Sequence, residues 1–245
     1  MKYMGSKSRI AKHIVPIIQK YIDEQNIKTY VEPFVGGANI IDKIKCDTKI
    51  GSDMNPYLIA LLKHVQDGLP LYDSVSKELY SAARNAFNSG GASFEDWQLG
   101  NIGFLASYNG RWFDGGYAKP GYEKTKNGER FRDYYSEAKN NILKQAPNIA
   151  TVQFMCCDYI DCEYEGALIY CDPPYAGTKQ YANATAFDYD LFWDTMRRWS
   201  KNNIVLISEE HAPDDFICIW QQPVSRTIKA NDKSYSVEKL FTIQN

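Results

Sequence analysis

The sequence predicts a doubly wound α/β domain built on a seven-stranded sheet and interrupted by a mainly helical insert. Three observations carry this. Short apolar runs without polar alternation recur along the chain, as buried parallel strands do. Several end on an acid or a Gly-rich turn, and open α/β sheets place their ligands at strand carboxyl ends. Helix-period segments separate the runs, except between residues 68 and 132, where the rhythm breaks.

The first helix starts at Ser6, a capping residue, and runs through Arg9 to Ile22 with Ile14, Ile17, Ile18 and Tyr21 in helical period. Thr29-Tyr30-Val31 is the first strand. It leads into Glu32-Pro33-Phe34-Val35-Gly36-Gly37, a turn whose glycines let a nucleoside approach the backbone, or simply make a tight strand–helix turn. Thr48 to Asp53 is the second strand. Asp53 is either an acid for the two hydroxyls of a ribose or the N-cap of the helix that follows from Asn55-Pro56. A helix near 133–146 is expected to stop before Pro147. Thr151 to Cys156 is a strand followed by Asp158 and Tyr159, where Asp158 is either an acceptor for an amine or a turn acid. Ala167 to Cys171 is a buried strand, 188–200 a helix, and Ile204 to Ser208 another strand. Phe216 to Trp220 and Val237 to Ile243 close the sheet.

At 245 residues the chain suits one large domain or a domain with a subdomain. The 44% apolar content is ordinary for a globular core. No apolar run approaches the roughly 18–20 residues of a membrane span. The N-terminal Met1-Lys2-Tyr3-Met4-Gly5 lacks the apolar stretch of a signal peptide. Cys46, Cys156, Cys157, Cys162, Cys171 and Cys218 form no C-x-x-C pair. With His13, His64 and His211 isolated, they read as reduced residues of a cytoplasmic protein without a metal.

The net charge of −2 does not advertise a nucleic-acid partner, but the charges are segregated. Residues 1–22 hold Lys2, Lys7, Arg9, Lys12 and Lys20 and no acid. Residues 111–132 are locally +3, and residues 158–172 hold acids and no base. Basic segments beside acidic strand ends suit a protein that grips phosphates and receives a cationic ligand. The insert adds several aromatics, with Asn109 and Arg111 as polar readers, on a Gly-rich loop. Such a loop contacts nucleic acid or forms a lid over a small molecule.

The chain is organised around Asp172-Pro173-Pro174-Tyr175, directly after the buried strand. Two prolines stiffen the corner and remove two N–H donors. What remains is a carboxylate, free carbonyls and an aromatic face. Asp172 and the Pro173 carbonyl can each accept one N–H of an exocyclic amine while Tyr175 stacks on its ring. The amine of adenine is a poor nucleophile because its lone pair is delocalised. Two acceptors that draw its protons out of plane push the nitrogen toward sp3 and aim the lone pair at an electrophile.

Tyr3-Met4-Gly5-Ser6-Lys7, Glu32-Pro33-Phe34-Val35-Gly36-Gly37, Asp53-Met54-Asn55, Asp158-Tyr159 and Asp172-Pro173-Pro174-Tyr175, in that order, resemble the Dam-like family of DNA adenine-N6 methyltransferases, α group. The resemblance covers nearly the whole chain. It implies a Rossmann-like methyltransferase sheet over residues 1–67 and 133–245, with a target-recognition insert at 68–132. It also implies S-adenosylmethionine as cofactor and double-stranded DNA as partner, within a restriction-modification system or outside one. By resemblance, Tyr3, Lys7, Glu32, Phe34, Gly36, Gly37, Asp53, Asp158, Tyr159 and Asp172 form the cofactor pocket. Asp172, Pro173, Pro174 and Tyr175 form the catalytic corner. Asn109 to Tyr117 resembles the family's recognition loop, but Asp114 stands where Asn is usual. Asn109, Arg111, Trp112, Tyr117, Lys119, Lys124 and Lys126 are the expected DNA contacts. Trp112 and Tyr117 either support the loop or wedge between bases. A sulfonium supplies its own electrophile, so no metal is required. No Pro-Cys dipeptide is present, as a cytosine-C5 enzyme would need. RNA or cytosine-N4 methylation, and a non-catalytic DNA-binding module, are the alternatives.

Overall fold

A computed structural model of the chain describes residues 1–90, 93–125, 128–174, 187–229 and 232–243. In chain order the elements are α1 (Ala11–Glu24), β1 (Thr29–Glu32), β2 (Thr48–Asp53), α2 (Pro56–Gln66), α3 (Lys77–Ser89), α4 (Asp96–Gly100), β3 (Gly121–Thr125) and β4 (Gly128–Arg132). They continue with α5 (Tyr134–Ile149), β5 (Val152–Cys156), β6 (Ala167–Cys171), α6 (Tyr189–Trp199), β7 (Ile204–Glu209), β8 (Phe216–Lys229) and β9 (Asp232–Ile243).

Seven strands form one sheet in the order β5-β2-β1-β6-β7-β9-β8. The first five in that order are mutually parallel, and β9 and β8 return antiparallel. From β1 the chain winds outward through β2 and β5, then restarts on the other side at β6. The order therefore reverses between β1 and β6, the topological switch point where such sheets bind ligands. Glu32 ends β1 and Asp172 follows β6, so both acids flank it.

Side-chain alternation explains why these runs are apolar throughout. Tyr30, Leu168, Tyr170 and Leu206 face a core shared with Ile14 and Ile18 of α1, Leu58 and Leu61 of α2 and Ile142 of α5. Val31, Ile169, Cys171, Val205 and Ile207 face the other side, against Phe192, Met196 and Trp199 of α6. Both faces are buried, as parallel sheets require.

Several boundaries differ from the sequence reading. The first helix begins at Ala11, and Ser6 caps only the short turn Lys7–Arg9 before it. The helix expected to stop before Pro147 continues to Ile149. Its final carbonyls are satisfied from outside: Lys49 Nζ donates to Asn148 O at 3.1 Å and Gln66 Nε2 to Ile149 O at 2.7 Å. The closing strands are also much longer than expected, 14 and 12 residues, because residues 221–229 and 232–238 pair as a ribbon. An apolar-run criterion does not see such a ribbon. Finally, the insert holds a hairpin, β3–β4, besides its helices.

The insert shares the main core. Leu71, Tyr80, Ala83, Leu99, Ile102 and Phe104 belong to the same buried cluster as α2. Trp112, one of the expected DNA contacts, lies in that cluster with 6% exposure. Its ring packs 4.6 Å from Phe104 and 5.3 Å from Tyr57, and Gly103 leaves it room, since a Cβ there would come within 2.5 Å of the indole. The tryptophan braces the loop from beneath. Tyr117 is half-buried and donates its hydroxyl to Val75 O at 2.8 Å, so it too is a brace. Replacing Trp112 by Ala removes a buried aromatic and leaves a cavity. Urea unfolding is expected to show a loss of about 3–5 kcal/mol; a loss below about 1 kcal/mol, the level of an ordinary surface change, would mean that the loop does not depend on this ring.

Candidate active site

The carboxyl edge of the parallel strands opens into a cleft of about 2100 Å³, and every cofactor residue singled out from the sequence lines it. Ser6 starts the arrangement. Its hydroxyl accepts from Ser8 N at 3.2 Å, capping a short turn over Lys7–Arg9, and from Asn39 Nδ2 at 2.8 Å. That turn drives Lys7 inward, where its side chain is only 8% exposed. Its Nζ lies 3.1 Å from Asp172 Oδ1 and 3.4 Å from Glu238 Oε2. Burial pushes the Asp172 carboxyl up to about 6; Lys7 opposes that shift and Glu238 adds to it.

Asp53 ends β2 and accepts from Gly36 N at 3.2 Å and Asn55 N at 3.0 Å. Burial pushes it up to about 6 against those two bonds. The helix that follows is capped by Asn55, whose Oδ1 accepts from Leu58 N at 3.1 Å. Asp53 is therefore not its N-cap. Glu32 is 3% exposed and accepts from Tyr30 Oη at 2.6 Å; burial pushes it up to about 8.

The Gly turn passes close under Tyr3. Gly36 has φ +47°, and a Cβ there would lie 2.9 Å from the Tyr3 ring. Gln145 holds the turn from behind, donating to Gly37 O at 3.1 Å and Ala38 O at 2.6 Å. On the far wall Phe34 and Tyr159 pack with ring centroids 5.0 Å apart. Asp158 caps its own turn, accepting from Ile160 N at 3.3 Å, and lines the cleft as well. The turn-acid reading of Asp158 is therefore met, and its carboxylate also lines the cleft. Pro173 and Pro174 line the cleft, and Pro174 O accepts from Tyr189 Oη at 2.5 Å. Tyr175 lies outside the described residues.

Two acids escaped the sequence reading. Glu238 reaches Lys7 from the antiparallel β9, a long-range contact without a local signal. Glu209 ends β7, is 3% exposed, and is pushed up to about 7 by burial. Its place at a strand end was visible in Ser208-Glu209.

Asn109 and Arg111 are exposed and line the same cleft. Lys119 and Lys124 are exposed outside it, and Lys126 lies outside the described residues. Among the described residues no group of three or more His, Cys, Asp or Glu side chains is placed to hold a metal, and no helix is long and apolar enough to cross a membrane.

A parallel sheet with acids at its switch point, a Gly turn under an aromatic ring and a carboxylate before two prolines defines an enzyme that uses a nucleoside cofactor. The donor set fits a cationic cofactor: carboxylates for a ribose and an amine, aromatic rings for a base, and net negative charge for a sulfonium. Residues 3–205 match the D12 class N6 adenine-specific DNA methyltransferase family, and the chain belongs to that family. It is 27% identical over 237 residues to the Type II methyltransferase M.MjaIII of Methanocaldococcus jannaschii, covering 82% of this chain and 77% of that one. It is 27% identical over 208 residues to a DNA adenine methylase of Haemophilus influenzae, covering 76% and 67%. A Vibrio cholerae DNA adenine methylase is 26% identical over 203 residues, covering 76% and 68%. The chain is an adenine-specific DNA methyltransferase with S-adenosylmethionine as methyl donor, which selects adenine N6 in DNA over RNA or cytosine N4.

An ionised Asp172 is the stronger acceptor for an amine N–H, and protonation turns one of its oxygens into a donor. The value of kcat/KM is therefore expected to fall as pH drops through about 6. Lys7 is what holds this carboxyl down against burial, so Lys7→Gln should move the acidic limb upward by about 1–3 pH units. A pH profile with the limb unmoved would show that Lys7 does not set the charge of Asp172.

Proposed function

We propose that this protein methylates adenine at a defined sequence in double-stranded DNA after taking the target base out of the stack. The supporting observation is the continuity of the cleft: Asp172 and Pro173 line one end, and the exposed Asn109 and Arg111 line it toward the insert. A base inside a duplex cannot reach a corner recessed at the sheet edge, so it leaves the stack at a cost of a few kcal/mol.

On this reading the catalytic domain comprises residues 1–67 and 133–245, and residues 68–132 recognise the target. Asp53 holds the ribose hydroxyls of the cofactor and Asp158 its adenine amine. Tyr3, Phe34 and Tyr159 wall the pocket, and Gly36 and Gly37 allow close approach. When bound, S-adenosylmethionine supplies an electrophilic methyl group next to Asp172. Asp172 and the Pro173 carbonyl accept the two N–H groups of adenine N6 and pyramidalise the nitrogen, while Tyr175 stacks on the ring. Rigid positioning in a site shielded from water does most of the catalytic work.

The hairpin of the insert presents Lys124 with Tyr122 and Phe131, which are 75% and 55% exposed and paired across the strands. Arg132 is engaged at the hairpin root by Glu137 at 2.9 Å and Glu123 at 3.3 Å, so Lys119 and Lys124, with Lys126 outside the described residues, are assigned to phosphates. The working compartment is the cytoplasm.

Unmethylated genomic DNA incubated with labelled cofactor and mapped base by base should carry label on adenine N6 within one short sequence. Label on cytosine, or none despite cofactor binding, would contradict the proposal. Non-specific DNA affinity should fall with salt at about −0.9 in log–log slope per phosphate neutralised, and Lys124→Ala with Lys126→Ala should flatten it by up to about two units. Changes at Asn109 or Arg111, which can make bidentate base contacts, should alter site choice instead. A wild-type slope in the double variant would place the DNA on the acid-free N-terminal segment.

A further inference from the structure

Two thiols flank the turn that carries Asp158 and Tyr159. Cys157 directly follows β5, is half-buried and lines the cleft. Cys162 follows the turn and is 9% exposed. Their sulfurs are 3.2 Å apart, and neither is bridged. A disulfide of about 2.05 Å therefore needs about 1 Å of further approach. The Cys162 thiol also donates to Asp158 O at 3.4 Å, so it helps to hold the turn.

We propose that Cys157 and Cys162 are a modification site: they form a reversible disulfide, with a low-molecular-weight disulfide such as oxidised glutathione as oxidant, and the bond weakens cofactor binding. This rests on the reading that Asp158 and Tyr159 hold the cofactor adenine. The Cys157 thiolate attacks one sulfur of the oxidant, whose S–S bond breaks and expels one thiolate. The Cys162 thiolate then attacks the Cys157 sulfur of the mixed disulfide and expels a second thiolate. The two protons lost by the cysteines end on the two expelled thiolates, and two electrons pass from protein to oxidant. Access sets the order. Cys157 opens on the cleft, whereas burial and the neighbouring Cys157 push the Cys162 thiol up to about 11, so it reacts second.

The bond removes the S–H donor that Asp158 O accepts and draws residues 157–162 into a closed ring. The Asp158 carboxylate and the Tyr159 ring ride on that ring, so their placement against the cofactor changes. Linkage makes the effect reciprocal: bound cofactor must disfavour disulfide formation at equilibrium by the same factor.

The test uses the full chain treated with oxidised glutathione. Non-reducing peptide mapping reads the bond, and calorimetric titration with S-adenosylhomocysteine reads the site. The expected result is a 157–162 cross-link with affinity lowered by at least about tenfold, or 1.4 kcal/mol. Dithiothreitol should restore the affinity, and prior binding of S-adenosylhomocysteine should suppress the link. Cys162→Ser should bind the probe normally when reduced and show neither link nor loss. Glutathione on the exposed Cys156 or Cys218 without a 157–162 link would overturn the proposal. So would a link that leaves affinity unchanged. Failure of the underlying pocket assignment is distinguishable, because reduced Asp158→Ala would then bind S-adenosylhomocysteine as tightly as the parent chain.

Discussion

The buried ammonium of Lys7, set between Asp172 and Glu238, is the interaction on which the site depends. It joins three distant parts of the chain: the N-terminal turn, the end of β6 and the returning β9. Two carboxylates placed this close at a low-dielectric sheet edge repel each other and lose hydration. A cation between them offsets both effects, and removing it would leave uncompensated buried charge. The capped turn at Ser6 and the lock between Ser6 and Asn39 hold the lysine in place. Local capping, sheet topology and the charge at Asp172 therefore form one construction.

The same edge collects acids whose protons are held back by burial. Glu32 is pushed up to about 8, Glu209 to about 7, and Asp53 and Asp172 to about 6. Near pH 7 several of them share the pH range of the medium, so the site carries less negative charge than its composition suggests. A cation arriving at this edge favours the ionised forms, so its binding is linked to proton release.

Much of this was legible in the chain. Strand-end acids and the Gly turn are local patterns, and Asp53, Asp158 and Asp172 all line the cleft where strand order placed them. The capping role left open for Asp53 fell to Asn55, a choice that depends on two neighbouring backbone N–H groups. Glu238 was illegible because it acts across the sheet from an antiparallel strand. Trp112 was left between bracing the loop and wedging between bases because aromatic and basic residues surround it. Only the tertiary contacts with Tyr57, Gly103 and Phe104 show that it belongs to the core. The ribbon of residues 221–229 and 232–238 and the helix turn beyond Pro147 were missed for one reason: backbone pairing and distant caps leave no apolar period.

The central claim is that the charge of Asp172, held by Lys7, activates the target amine and does not serve to hold DNA. Single-turnover methyl transfer by Asp172→Asn, measured beside DNA affinity, tests it most directly. Asparagine keeps one acceptor and loses the charge. The account predicts loss of most methyl transfer with DNA affinity changed by less than about tenfold, or 1.4 kcal/mol. Near-normal single-turnover transfer by Asp172→Asn would contradict it.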